Sequence, residues 1–328
     1  MAIIEVKDLI KTYKIIEKDD GLLGYFKNLI KPKFKEFDAV KGINFSIEEG
    51  ELVGYIGENG AGKSTTIKML TGLLTPTSGS ILVNGIVPNK KRVENNKNIG
   101  AVFGQKTQLW WDLPVIESFR LIKKMYKIPE NEYRKNLKKF TEILELDDLL
   151  EKQVKNLSLG QKMRCEIAAT FLHNPKIVYL DEPTIGLDVF VKENIRKFIK
   201  DINKEKKTTV ILTTHDLKDI EDVCDRIILL DKGQIIYDGE KQKFKDTYGK
   251  YVIAELIIKD KKEDIVLDNV EIVEQSENKL KIKFSHDQIT IVKIMEEISE
   301  FCTIEDIHMK EAELEDILKE IYKGAHKC

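Results

Sequence analysis

Residues 57–64 read Gly-Glu-Asn-Gly-Ala-Gly-Lys-Ser and match the pattern GxxxxGK[ST] at every fixed position. An apolar segment at residues 52–56 predicts a strand before this run, and residues 64–73 predict a helix after it. The glycines let successive backbone N–H groups turn inward around an anion, and the start of the helix adds a favourable partial charge. The run predicts a phosphate-binding loop for a nucleoside triphosphate, with a chance glycine-rich turn as the alternative.

Two side chains of this loop suit a magnesium–nucleotide complex. The Lys63 ammonium can reach the β- and γ-phosphates, and the Ser64 hydroxyl is the expected Mg²⁺ ligand. The other nucleotide contacts that we expect from the loop and the helix start are Gly57, Asn59, Gly60, Gly62 and Thr65.

Two adjacent acids, Asp181 and Glu182, end an apolar segment at residues 177–180 that reads as a buried strand. Consecutive side chains of a strand point in opposite directions, so the two carboxylates need not share a role. Asp181 can complete the Mg²⁺ shell through water, which leaves Glu182 to polarise an attacking water. The alternative is an acidic turn or a helix cap.

Further segments resemble motifs of one family, the ABC ATPases. Residues 156–161, Asn-Leu-Ser-Leu-Gly-Gln, resemble its signature motif, with Leu159 in place of the first glycine. Gln105 resembles the Q-loop glutamine, residues 185–188 resemble the D-loop, and His215 resembles the H-loop histidine. All occur in the family's order, and the resemblance covers about residues 1–240.

The resemblance implies a head-to-tail dimer in which each ATP lies between one phosphate-binding loop and the other chain's signature motif. Ser158, the backbone of Gly160 and the start of the next helix, with Gln161, would face the γ-phosphate of the opposite site. Asp188 of the D-loop is a further expected nucleotide contact.

Three more roles follow from the resemblance. Gln105 would contact Mg²⁺ and the attacking water, and His215 would hold the γ-phosphate and that water together with Glu182. A histidine that caps a strand-to-helix turn is the alternative for His215. Tyr13 stands where the family places an aromatic ring against adenine, and plain packing is its alternative.

The chain also resembles the ATP-binding subunits of ABC-2-type exporters for sodium or drugs. The features that carry this resemblance are the segment VFGQKTQLWWDLP, the LSLGQ signature and a carboxyl-terminal extension. Transmembrane permease subunits on separate chains and a second ATPase subunit, with a homodimer favoured, are the implied partners. Trp110 and Trp111 follow Gln105 and are either core residues or anchors for the membrane partner. The rival functions are a soluble, non-transport ABC ATPase and a catalytically silent regulatory subunit.

The sequence around these residues shows an α/β pattern, in which short apolar segments typical of strands alternate with helical segments. We expect a P-loop NTPase core of ABC type at residues 1–240, with a helical subdomain at about 115–175. A small α/β accessory domain is expected at 241–328. A lysine-rich insertion at about 14–39 is either a solvated surface excursion or a membrane- or partner-contacting segment.

Composition narrows the class of protein. Hydrophobic residues make up 42% and charged residues 34% of the 328, as in a well-cored globular protein. The net charge of -2 offers no basic excess for nucleic acid. The 4 cysteines are widely spaced, which favours reduced thiols in a cytoplasmic protein. No apolar run could span a bilayer, so we expect a peripheral protein on the cytoplasmic face of the cell membrane.

Overall fold

A computed structural model describes residues 2–16, 34–104, 106–268, 270–285 and 288–325. The chain divides into two compact units, Met1–Gly239 and Glu240–Cys328.

The first unit alternates strands and helices. Its strands are β1 (Ala2–Ile16), β2 (Phe34–Glu48), β3 (Leu52–Gly57), β4 (Ser78–Val83), β5 (Ile99–Phe103), β6 (Ile177–Asp181), β7 (Thr209–Thr213), β8 (Arg226–Asp231) and β9 (Gln234–Glu240). Its helices are α1 (Lys63–Leu70), α2 (Arg92–Asn98), α3 (Val115–Tyr126), α4 (Glu130–Leu144), α5 (Leu159–Phe171), α6 (Val189–Lys206) and α7 (Leu217–Val223).

A six-stranded sheet in the order β5-β6-β7-β3-β8-β9 forms the centre of this unit. The pairings of β3 with β7 and β8, and of β6 with β5 and β7, are parallel. Every residue of β6 and β7 is buried, as expected of strands covered on both faces. Parallel strands bring their carboxyl ends to one edge, so Gly57, Asp181 and Thr213 all lie there.

A second sheet is antiparallel, in the order β2-β1-β4, and shares one buried cluster with the central sheet. In its β1–β2 pair, Lys14 lies opposite Glu36 and Tyr13 opposite Phe37. Both ends of the predicted insertion, residues 14–16 and 34–39, are therefore strand, because cross-strand pairing continues through them. Residues 17–33, which hold most of that segment, lie outside the described residues.

The region predicted to be helical contains α3, α4 and α5. Their apolar residues recur at helical spacing and face inward, for example Val115, Phe119 and Ile122 on α3. Phe140 of α4 and Phe171 of α5 both meet Phe198 of α6 edge-on, with ring centroids 5.1 and 5.2 Å apart. These contacts attach the helices to α6.

The second unit has α8 (Lys241–Tyr248), β10 (Val252–Lys259), β11 (Glu271–Gln275), β12 (Lys279–Phe284), α9 (Ile291–Ser299), β13 (Thr303–Glu311) and α10 (Leu314–Ala325). Its strands form an antiparallel sheet in the order β11-β12-β10-β13. Alternate residues of β10 and β12 are buried in a cluster that includes residues of α9. The unit thus has a hydrophobic core of its own.

Within the described residues, no helix combines the length and the apolar composition needed to cross a bilayer.

Candidate nucleotide-binding and hydrolysis site

The loop between β3 and α1 has a backbone that only glycine accommodates at several points. Gly60 and Gly62 have φ of 85° and 103°, in the left-handed region. A Cβ on Gly62 would lie 2.5 Å from the Ala39 carbonyl oxygen, and one on Gly57 would lie 2.5 Å from the Leu230 carbonyl oxygen. Two constraints therefore require glycine in the predicted phosphate loop: left-handed backbone dihedral angles and backbone atoms too close to allow a Cβ.

Lys63 is the first residue of α1, and its ammonium lies at this loop. The Nζ atom donates to the carbonyl oxygens of Gly57 at 2.6 Å and Glu58 at 3.1 Å. Burial lowers the pKa of Lys63, while the negative charges of Glu182, Asp181 and Glu58 oppose that shift. A bound phosphate would provide a further negative charge for this buried cation.

Ser64 and Asp181 meet where β6 ends beside α1. The Ser64 hydroxyl lies 3.3 Å from Asp181 Oδ1, which also accepts a 2.5 Å hydrogen bond from the Thr213 hydroxyl. This oxygen-only pair of a hydroxyl and a buried carboxylate fits Mg²⁺, which keeps several waters and uses few protein ligands. The described residues contain no group of three His, Cys, Asp or Glu side chains arranged for a metal ion.

Glu182 leaves the strand in a different direction from Asp181 and meets His215. The imidazole Nε2 lies 2.9 Å from Glu182 Oε1. Glu182 has φ of 59°, a left-handed conformation that costs a non-glycine residue about 1–3 kcal/mol. Its N–H donates to the Thr213 carbonyl oxygen at 2.9 Å. The chain thus holds a strained turn that places the carboxylate against the imidazole.

The signature residues form a separate group at the start of α5. Ser158 is the N-cap, and its hydroxyl oxygen accepts from Gln161 N at 3.3 Å. The Gln161 side chain in turn accepts from Ser158 N at 3.0 Å, which completes a capping box. Gln161 therefore shapes the helix start, whereas the resemblance also assigned it a nucleotide contact.

The D-loop residues lie against the signature group. A Cβ on Gly186, whose φ is 70°, would come within 3.1 Å of Leu159 Cδ2. Leu159, the departure from the family motif, thus packs over a residue with no side chain. Asp188 is the N-cap of α6, where its Oδ1 accepts from Val191 N at 3.0 Å. The isolated chain gives Asp188 a capping role.

Tyr13 and Gln105 are the remaining predicted residues. Tyr13 is half-buried on β1 and pairs with Phe37 of β2. Ala39, two residues after Phe37, is the residue whose carbonyl oxygen lies against Gly62. Tyr13 therefore belongs to the β1–β2 pair that borders the phosphate loop. Gln105 lies outside the described residues. Beside it, Gly104 N donates to the Asp181 carbonyl oxygen at 2.7 Å and Lys106 N to the Phe103 carbonyl oxygen at 3.0 Å.

Two buried carboxylates near the site were not singled out from the sequence. Glu166 of α5 accepts from the Thr107 hydroxyl at 2.7 Å and from Gln108 N at 3.0 Å, which ties α5 to the segment after Gln105. Burial raises the pKa of Glu166, and these hydrogen bonds act in the opposite direction. The second is Asp219 of α7, which joins Thr184, Thr214 and Arg196. The sequence signal for Glu166 is its place among the apolar positions of a helix, where an acid indicates a buried carboxylate with hydrogen-bond partners.

Comparison with known proteins identifies the family of the chain. The family model described as ABC transporter matches residues 40–185. The linearmycin resistance ATP-binding protein LnrL of Bacillus subtilis is 32% identical over 87% of this chain and 94% of its own length. The ABC transporter ATP-binding protein NatA of the same organism is 32% identical over 66% of this chain and 87% of its own. By contrast, the chain spans 27% of ABC transporter A family member 1 of Dictyostelium discoideum, at 33% identity over 73% of this chain.

Among solved structures, a dimeric post-hydrolysis ATP-binding cassette with bound ADP and Pi matches with a TM-score of 0.60 at 29% identity. The match covers 72% of this chain and 98% of that one. Two relatives above 30% identity, matched over 87% and 94% of their own lengths, the family match and the α/β cassette fold are consistent with one another. The chain therefore belongs to the family of ABC transporter ATP-binding proteins, and it is an ABC ATPase.

Proposed function

We propose that this chain binds Mg·ATP at its phosphate loop and couples ATP hydrolysis to an ABC-2-type membrane exporter. The observation that carries the proposal is the meeting of three groups at one sheet edge. These are the Lys63 ammonium, the Ser64–Asp181 oxygen pair and the Glu182–His215 pair. They provide, in that order, phosphate binding, a magnesium site and activation of water.

Each group has a distinct part in hydrolysis. Lys63 and the inward N–H groups of the loop bind the β- and γ-phosphates. Ser64 and Asp181 would hold Mg²⁺, which would supply positive charge against these phosphates. Glu182 accepts a proton as water attacks the γ-phosphorus, and the bond to the bridging oxygen breaks to give ADP and phosphate. His215 holds the Glu182 carboxylate in place. The contact between Glu182 and His215 also favours an active subunit over a silent regulatory one.

A second copy of the chain completes each site in this proposal. Exposed apolar side chains lie on the signature group, on the D-loop and at the adjoining start of α6, where Val189 is 63% exposed and Phe190 is 79% exposed. Such a patch beside an ATP site suits a partner surface. The capped start of α5 presents Ser158 and backbone N–H groups for the γ-phosphate of the opposite site. The dimeric cassette among the solved relatives supports this arrangement.

The membrane partner would contact the segment that follows Gln105. Trp111 is 53% exposed, and Lys162 of α5 lies over its ring at 4.2 Å. An exposed tryptophan pair, on a segment that Glu166 ties to the signature helix, suits an anchor for a permease subunit on a separate chain. The name of NatA, an ABC transporter ATP-binding protein, supports a transporter. The name of LnrL, a linearmycin resistance protein, supports a drug as the transported substrate. The chain would then act at the cytoplasmic face of the cell membrane.

Dimer formation tests the proposal directly. In a Glu182→Gln background, ATP with Mg²⁺ should convert the full chain to a dimer in sedimentation velocity experiments, and Phe190→Asp should prevent this. Val93→Asp is the matched control, because Val93 is 76% exposed but lies on α2. A dimer that forms equally well with Phe190→Asp would contradict the interface, and a chain that stays monomeric with ATP would contradict the dimer.

A further inference from the structure

Asp219 is a buried carboxylate on α7, 1% exposed, that no step of the proposed hydrolysis uses. Arg196 of α6 donates to Asp219 Oδ1 through Nε and a terminal nitrogen, each at 2.6 Å. The hydroxyls of Thr184 and Thr214 both donate to Oδ2, the latter at 3.1 Å. Four donors therefore converge on one carboxylate, whose two oxygens can accept about four hydrogen bonds.

Each threonine lies close in the sequence to one member of the catalytic pair. Thr184 follows Glu182 by two residues, and Thr214 directly precedes His215. Thr214 Oγ1 also accepts from Asp216 N at 3.0 Å, so it holds both ends of the turn that contains His215. Asp219 is thus joined to the Glu182 segment and to the His215 segment by one hydrogen bond each.

The catalytic pair has need of such support. Glu182 occupies a left-handed backbone conformation, which persists only where the surroundings fix it. The Glu182–His215 contact joins the ends of two different strands, and the His215 side chain is half exposed. A shift of either segment would change the distance between the carboxylate and the imidazole.

We propose that Asp219 is a positioning residue that sets the Glu182–His215 geometry through the hydroxyls of Thr184 and Thr214. Arg196 neutralises the buried carboxylate and joins it to α6, the helix that follows the D-loop. Asp219 touches neither the phosphate loop nor the Ser64–Asp181 pair in this arrangement, so it acts on the rate of hydrolysis and leaves ATP binding alone. This inference rests on the catalytic roles proposed for Glu182 and His215.

Threonine-to-valine changes test the inference, because valine keeps the shape of threonine and leaves the Arg196–Asp219 pair intact. Thr184→Val and Thr214→Val should each lower kcat of the full-length ATPase about tenfold to a hundredfold, the cost of a misplaced catalytic group. The KM for ATP should not change. Thr184→Ser and Thr214→Ser, which retain the hydroxyl, should restore most of kcat.

A double-mutant comparison separates positioning from a general loss of structure. In a Glu182→Gln background, the valine changes should leave the residual rate almost unaltered, since the group that they misplace is already absent. Asp222→Asn is the control, because Asp222 pairs with Arg196 at 3.2 Å but does not contact either threonine. Thermal melting confirms that each variant is folded.

The outcomes distinguish this inference from the proposed function. Wild-type kcat in folded Thr184→Val and Thr214→Val, equal losses for serine and valine, or an undiminished effect in the Glu182→Gln background would overturn the role of Asp219. Wild-type kcat in Glu182→Gln alone would instead overturn the catalytic assignment on which it rests.

Discussion

His215 Nε2 lies 2.9 Å from Glu182 Oε1, across the ends of two neighbouring parallel strands. Asp181 and Thr213 are in register at the ends of β6 and β7. Glu182, one residue after Asp181, and His215, two residues after Thr213, therefore leave the sheet close to each other. In this geometry the imidazole N–H donates to one carboxylate oxygen, and the other oxygen can accept from water. In the proposed mechanism the two residues form one unit for activating water, separate from the Ser64–Asp181 pair.

Glu182→Gln should retain ATP binding and lower kcat by about 10²–10⁴-fold, because the base is lost while the phosphate loop is unchanged. An ATP-bound dimer should accumulate and be visible by size-exclusion chromatography. Glu193→Gln on the exposed side of α6 is the control and should hydrolyse ATP normally. A Glu182→Gln protein with wild-type turnover would remove Glu182 from its role.

Mixing two inactive variants tests the head-to-tail arrangement. Lys63→Ala removes the phosphate-binding ammonium, and Ser158→Arg blocks the signature surface, so a heterodimer contains one site that lacks neither. ATPase activity should return on mixing, in proportion to the fraction of the protein that forms the heterodimer. Each variant must first be shown to be folded, since Ser158→Arg also removes an N-cap worth about 1 kcal/mol. Folded variants that form heterodimers without regaining activity would contradict the model of shared sites.

The parts of the site that lie together in the sequence could be predicted from it. The phosphate loop is one continuous run, so its glycines, Lys63 and Ser64 follow from spacing alone. Strand alternation also predicted that the neighbours Asp181 and Glu182 need not share a role, and the two carboxylates have different contacts, Ser64 and His215 respectively. The hydrogen-bond partners of Asp219 and Glu166 could not be predicted, because Thr184, Arg196 and Thr107 come from distant segments and become neighbours only through tertiary packing.

The fold shows the same division. The apolar residues of β6 predict a buried strand, whereas the residues of β13 are mostly exposed and mixed in polarity, so its local sequence does not indicate a strand. Pairing with β10 makes it a strand, which the local pattern does not specify. Sequence likewise placed α1 near residues 64–73, and the structure ends it at Leu70.

A pH-dependent contribution to stability is expected from His173. Its ring is stacked on Tyr126, with centroids 3.9 Å apart, and Nε2 donates to the Ile99 carbonyl oxygen at 3.0 Å. Burial lowers the pKa of His173 from 6.5 to about 4. Between these values the unfolded chain binds more protons than the folded chain, so the free energy of unfolding falls as the pH falls from 6.5 towards 4.

The size of this contribution is on the order of 3 kcal/mol. Urea unfolding of wild type and His173→Gln across this pH range should show a shallower pH dependence in the variant, whatever its stability at neutral pH. His308→Gln, at an exposed histidine of the second unit, is the control. Equal slopes for wild type and His173→Gln would contradict the expectation.

The last prediction concerns the second unit, which carries none of the ATP motifs. Its sheet has a separate hydrophobic core, formed by residues such as Leu256, Ile282 and Ile298, so it should fold largely independently. Cutting after Gly239 removes this unit but retains the phosphate loop, Tyr13 and Asp181. The truncated chain should therefore remain soluble and bind ATP with nearly wild-type affinity. If the second unit serves dimerisation or regulation, its removal should change self-association without nucleotide or coupling to the membrane partner. If it is a passive stabilising tail, its removal should change neither. Nucleotide titration and sedimentation of the truncated chain decide between these outcomes, and a well-folded truncation that no longer binds ATP would mean that the second unit contributes to the active site.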